Sequence, residues 1–217
     1  LTESVANLNS NTTGVSPSVS GVETLNVSAK VLEADNADKA LSLDATKFTG
    51  VDTLLATIDN EDTDSTDTAS VTFTGITTET VQFTAQEDNA QGVLGLDVTL
   101  KTTTGASDEI NVVSNARKSS GLNKLDTLTV TGNVEVLNFT ANTADVTSAG
   151  VTTAGTTIAA LAAGQSHTVN ISGAGGVAIN ALEVADPAGT TTALIDASTA
   201  TGNLVLGTAT ADFKTSN

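Results

Sequence analysis

The chain has no cysteine and no methionine, which excludes disulfides, thiolate metal sites and cysteine nucleophiles. Tryptophan and tyrosine are also missing, and only five phenylalanines occur in 217 residues. The interior must therefore be filled by Val, Leu, Ile, Ala and the methyl groups of Thr, and the usual aromatic platforms for sugars are not offered. Basic residues are scarce: eight Lys and Arg stand against 25 Asp and Glu, a net charge of −17. Phosphate backbones are bound by clustered basic side chains, so nucleic acid is excluded as a partner. No apolar run approaches the roughly 20 residues that span a bilayer, so no transmembrane segment is expected. The opening Leu1-Thr2-Glu3-Ser4 lacks the basic-then-apolar shape of a signal peptide, and both ends read as excised from a longer chain.

What is abundant is Thr and Val. β-Branched residues lose little in extended backbone, and Thr can bury its methyl while its hydroxyl bonds a neighbouring strand. One short phrase recurs as Gly21-Val22-Glu23-Thr24-Leu25-Asn26-Val27, Gly50-Val51-Asp52-Thr53-Leu54, Leu125-Asp126-Thr127-Leu128-Thr129-Val130 and Val134-Glu135-Val136-Leu137-Asn138-Phe139. Apolar residues alternate in it with polar ones, the pattern of a half-buried strand. Gly21 and Gly50 are 29 residues apart, and Gly75-Ile76-Thr77-Thr78-Glu79-Thr80-Val81 follows after a further 25. That spacing is typical of solenoid coils, each burying one face against its neighbours. A second phrase, Leu43-Asp44-Ala45-Thr46 with Thr49-Gly50, returns as Ile195-Asp196-Ala197-Ser198 with Thr201-Gly202. The expected fold is all-β, a parallel β-helix or solenoid-like stack of short Thr/Val-rich strands; tandem antiparallel β-sandwiches are the alternative. Residues 1–217 read as a single elongated β-domain, with a subdivision conceivable near 115–121, where small residues cluster around Arg117 and Lys118. The only stretch with helical composition, Thr157-Ile158-Ala159-Ala160-Leu161-Ala162-Ala163-Gly164, is short enough to be a turn.

The two recurring phrases resemble the repetitive carboxy-terminal regions of Gram-negative surface-layer proteins of the Caulobacter and Campylobacter type, relatives of the RTX exoproteins. The resemblance covers most of residues 20 to 206 and is one of texture. It implies export by a type I system, an extracellular location at the bacterial cell surface, self-association in a two-dimensional lattice and dependence on calcium, with cell-surface glycan contacted through other parts of the chain. Of the family's calcium nonapeptide only Gly173-Ala174-Gly175-Gly176 is similar, without its aspartate.

Charge is uneven: residues 1–109 hold 18 acids and 4 bases, whereas residues 110–217 hold 7 and 4. A concentrated acidic surface repels itself and gains stability from divalent cations. Calcium takes six to eight oxygens in irregular geometry. The densest candidate set is Asp59, Glu61, Asp62, Asp64 and Asp67, followed by Asp35 and Asp38; Ca2+ is the expected cofactor. A solvated acidic loop is the plainer explanation of each. Glu87-Asp88-Asn89 and Asp108-Glu109 are shorter acidic corners. Sequons begin at Asn11, Asn26, Asn138 and Asn170, a number that chance supplies in so Thr-rich a chain. The single histidine, His167, has no acid near it in sequence. No nucleophile elbow, phosphate loop or zinc spacing occurs. The chain is expected not to be an enzyme but a structural segment of a calcium-dependent surface-layer lattice. An adhesin or carbohydrate-binding segment of a large exoprotein is the alternative, and a polysaccharide-cleaving β-helix enzyme is disfavoured by a lone Arg117 and the missing aromatics.

Overall fold

A computed structural model describes residues 3–5, 19–32, 37–61, 66–87, 92–101, 108–115, 122–132, 134–163, 166, 168–184, 194–209 and 212–215. Among them the chain forms twenty strands and one 3-10 turn, Ala45–Lys47. The first half contains β1 (Glu3–Val5), β2 (Val19–Ser20), β3 (Thr24–Val31), β4 (Lys39–Asp44), β5 (Phe48–Thr49), β6 (Thr53–Asn60), β7 (Thr68–Ile76), β8 (Thr80–Glu87) and β9 (Val93–Leu100). The second contains β10 (Glu109–Ser114), β11 (Asn123–Thr131), β12 (Val136–Ala141), β13 (Val146–Ser148), β14 (Val151–Thr153) and β15 (Thr156–Ala163). It ends with β16 (Thr168–Gly173), β17 (Val177–Val184), β18 (Leu194–Ala200), β19 (Leu204–Ala209) and β20 (Asp212–Thr215). No helix among the described residues is long and apolar enough to cross a membrane.

Two large sheets take up most of these strands. One has nine in the order β1-β3-β6-β8-β10-β12-β16-β18-β20, the other seven in the order β19-β17-β15-β11-β9-β7-β4. From β6 onward the chain visits the two sheets alternately, and every neighbouring pair within them is parallel. The architecture is therefore solenoid-like. Antiparallel sandwiches do not describe it, because the antiparallel pairing among the described residues is confined to the small β13–β14 hairpin.

Alternation in the sequence produces this arrangement directly. In β6 the residues Leu54, Ala56, Ile58 and Asn60 point inward and are buried, while Thr53, Leu55, Thr57 and Asp59 are only partly covered. Parallel pairing then stacks like on like, with register shifts past Phe73 between β7 and β9 and past Asn170 between β16 and β18. Leu25, Leu54, Val81, Val112, Phe139 and Ile171 form one ladder in the nine-stranded sheet, and Leu43, Phe73, Val98 and Val130 form one in the other. Both ladders belong to one core cluster between the sheets. Phe83 and Phe139 meet there at a ring-centroid distance of 6.4 Å. Fully burying a side chain of this size contributes roughly 1.5–3 kcal/mol, so a stack of aliphatic ladders holds the fold with few aromatics.

The four copies of the first phrase divide between the sheets: β3, β6 and β12 carry three in the nine-stranded sheet, and Leu125–Val130 lies on β11 in the other. Alternation alone fits any half-buried strand, whichever sheet it joins. The Ala-rich stretch is a strand, β15, and not a helix or turn, because Ile158 is the register partner of both Leu125 and Ile179 and all three are fully buried. Residues 116–121, where a subdivision was conceivable, lie outside the described residues; on either side of them Asn123 donates to the carbonyl of Asn115 at 2.7 Å.

Candidate functional site

Several charged groups stand at or next to the corners between the sheets. On the corner that leads from β3 to β4 and from β6 to β7 stand four of the predicted cation ligands, Asp38, Asp59, Glu61 and Asp67. Lys30 and Asp59 are register partners on β3 and β6, and their charged groups lie 3.7 Å apart. Lys30 also donates to the Glu61 carboxylate. That hydrogen bond, more than the nearby charges, raises the Lys30 pKa above its ordinary value. Asp38 accepts from the Thr68 backbone N–H at 2.7 Å, at the start of β7. The Asp67 carbonyl accepts from the Asn60 side chain at 2.9 Å and from the Val93 N–H at 3.3 Å.

Asp38 and Asp67 thus flank one backbone position, while Asp59 and Glu61 share a lysine. Asp35, Asp62 and Asp64 lie outside the described residues, as do Asp88 and Asn89. Among the described residues no group of three or more Asp, Glu, His or Cys is gathered as a metal ion requires.

The opposite corner holds an acidic column that sequence reading missed. Glu23, Asp52, Glu79, Asp108 and Glu135 immediately precede β3, β6, β8, β10 and β12, five successive strands of the nine-stranded sheet. Backbone bonds hold them in layers: Asp52 N–H donates to the Glu23 carbonyl at 2.9 Å, Thr80 N–H to Asp52 at 2.9 Å and Glu135 N–H to Asp108 at 2.9 Å. Two of the side chains are engaged locally. The buried Glu79 carboxylate accepts from the N–H groups of Thr77 and Thr78 at 2.7 and 3.0 Å, and Glu135 accepts from the Asp108 N–H at 2.7 Å. Glu23 and Asp52 are exposed. Adjacent strands stand about 4.8 Å apart, and two unit charges at that distance repel by roughly 1 kcal/mol in water. Beside the column lies a groove of about 270 Å³ lined by Thr77, Thr78, Glu79, Asp108, Glu109 and Asn111. The signal was present as carboxylates 29, 27, 29 and 27 residues apart, of which Glu23, Asp52 and Glu135 stand in copies of the first recurring phrase.

The sequons find a structural role. On the outer face of the nine-stranded sheet Asn111, Asn138 and Asn170 are register partners. The Asn138 amide donates to the Asn111 amide oxygen at 3.0 Å, and Asn170 donates to Asn138 at 2.8 Å. Their side chains form an amide ladder across three strands. Asn26 accepts from the Thr57 hydroxyl at 3.5 Å. Asn11 and His167 lie outside the described residues. The Gly173–Gly176 cluster makes the turn from β16 to β17, and a Cβ there has no room: at Gly173 it would stand 2.1 Å from the Ala141 carbonyl oxygen.

Comparison with protein-family models, with curated proteins and with solved structures finds no match for this chain.

Proposed function

We propose that this chain is a non-enzymatic structural segment of an extracellular lattice at a bacterial cell surface, built as a parallel β-helix and stabilised by calcium at its acidic corners. The observation that carries this reading is the stacking of carboxylates before five successive strands along one corner of a continuous parallel stack. Such a stack is stiff along its axis, because each layer is bonded to the next through whole strands. Its corners repel like charges until a cation neutralises them, which couples rigidity and lateral contact to an external ion. Low aromatic content fits a scaffold held by repeated aliphatic ladders. The acidic surface also suits a molecule that stays dispersed until calcium is met outside the cell.

An adhesin segment is the second reading, favoured by the polar groove between Thr77 and Asn111, whose hydroxyl, amide and carboxylate groups suit a sugar's hydroxyls. Electron microscopy separates the two. Ordered two-dimensional arrays of the purified protein on adding calcium, dissolved by a chelator, are the expected result. Binding of the calcium-loaded monomer to a glycan array, with no arrays formed, would instead favour the adhesin.

A further inference from the structure

The β13–β14 hairpin belongs to neither large sheet. It rises between β12 and β15 on a two-residue turn in which Ala149 and Gly150 both have positive φ, 50° and 80°. This is the turn that matches strand twist in tight hairpins. Thr147, Ser148 and every residue from Ala149 to Thr153 are exposed, Val151 at 67%. Its root is firm: Asp145 accepts from the Gly155 N–H at 3.0 Å, and Thr143, Ala154 and Thr156 are buried.

Two features set the arm apart. In a chain of net charge −17, residues 146–182 contain no Asp, Glu, Lys or Arg. The hairpin edges also carry no charge, no proline and no bulge, so only the shortness of the strands limits pairing along them. A two-residue turn makes Ser148 and Val151 a hydrogen-bonded pair. Thr147 and Thr152, the next pair, therefore aim their own N–H and C=O groups outward, while their hydroxyls meet at 3.0 Å on one face.

We propose that the hairpin is a self-recognition arm whose β14 edge pairs antiparallel with the β14 edge of a second copy, centred on Thr152. Charge selects the occupant. Two copies repel most strongly through their acidic amino-terminal halves and can approach without carboxylate repulsion at this uncharged arm, and a two-fold antiparallel contact satisfies the outward groups of both Thr152 residues at once. Strands of three residues bury only a few hundred Å² in total, below the roughly 1,000 Å² that a lone stable interface needs. The contact therefore works by repetition, as in an array. This inference deepens the lattice reading and rests on it.

The test uses the cysteine-free background. Thr152→Cys introduces a single thiol, and under mild oxidation it is expected to give a disulfide-linked dimer far faster than Ser28→Cys, an exposed control on β3. In about 1 M NaCl, where the Debye length is about 3 Å, sedimentation should show reversible association of the unmodified chain, and Val151→Asp should weaken it by about tenfold or more at unchanged melting temperature. Equal cross-linking rates for the two cysteine variants, or equal association of V151D, would overturn the proposal. Calcium arrays formed as readily by V151D as by the unmodified chain would overturn it while leaving the lattice reading standing. Failure of the unmodified chain to assemble in calcium would remove the lattice reading itself.

Discussion

Replacing Asn123 is the sharpest probe of how the stacked layers are locked together. Asn123 is fully buried at the start of β11, and its carboxamide ties together four segments. Its oxygen accepts from the Ala85 N–H at 3.0 Å on β8; its nitrogen donates to the Ser114 hydroxyl at 2.8 Å, the Asn115 carbonyl at 2.7 Å and the Thr143 hydroxyl at 2.7 Å. Asn123→Ala leaves the Asn115 carbonyl with the Thr143 hydroxyl at 2.9 Å, and Ser114 with Thr156 at 2.6 Å. The Ala85 N–H, by contrast, loses the carboxamide that satisfied it.

One buried orphan costs about 1–3 kcal/mol, and the vacated volume adds to it, so a total of roughly 2–4 kcal/mol is expected. For a chain of this size that lowers Tm by about 4–16 °C. Because neighbouring layers can open locally, amide hydrogen exchange at Ala85 is the more direct assay, and its protection should fall with the substitution. Asn123→Asp adds a test of sign. A carboxylate there is desolvated and faces the Asn115 carbonyl, so its folded pKa lies above the unfolded value of about 3.9. The folded state then binds the extra proton. The deficit relative to the unmodified chain should be small below about pH 4, grow as pH rises through the folded pKa, and stay large at neutrality. A melting temperature within about 2 °C of the original for N123A, with unchanged protection at Ala85, would refute this account of the polar cluster.

Glycine positions separate two costs. Gly173→Ala meets both a φ of 105° and a carbonyl 2.1 Å from the new Cβ, so a loss of several kcal/mol is expected by denaturant melting. Gly21→Ala, at φ 78° with nothing within 4 Å, should cost only about 1–2 kcal/mol. Lys30→Met removes an ion pair whose lysine side chain is 39% exposed, so solvent screening limits the loss to under about 1 kcal/mol. Since the folded pKa of Lys30 is raised, this contribution is complete at neutral pH and fades only as pH climbs past the ordinary lysine value, 10.5, toward the folded one; a pH series of urea midpoints checks it.

Much of the fold was legible because a half-buried strand needs only alternation, and β3, β6 and β7 alternate plainly. Parallel stacking was legible from the wide spacing of the copies, since hairpins need no such distance. The strands of the seven-stranded sheet were harder. Leu125 and Leu128, Ile158 and Leu161, and Ile179 and Leu182 all face the core at a spacing of three, with two outward residues between them. That spacing imitates a helix, and in β15 alanine strengthens the imitation; cross-strand pairing overrides propensity there. Of the candidate site, clusters on single loops were visible and the acidic column was not. Glu23, Asp52, Glu79, Asp108 and Glu135 recur at nearly constant intervals of 29, 27, 29 and 27 residues, a period that the differing residues around each one obscure and that strand register makes plain.

The most direct test of the central claim is the melting temperature and particle size of this chain in calcium against chelator. A cation held by the folded state alone must raise stability, by about 2.7 kcal/mol at a hundredfold excess over its Kd. The account predicts a higher Tm and larger particles with calcium, both reversed by chelator. Identical melting and a monomer in both conditions would contradict it.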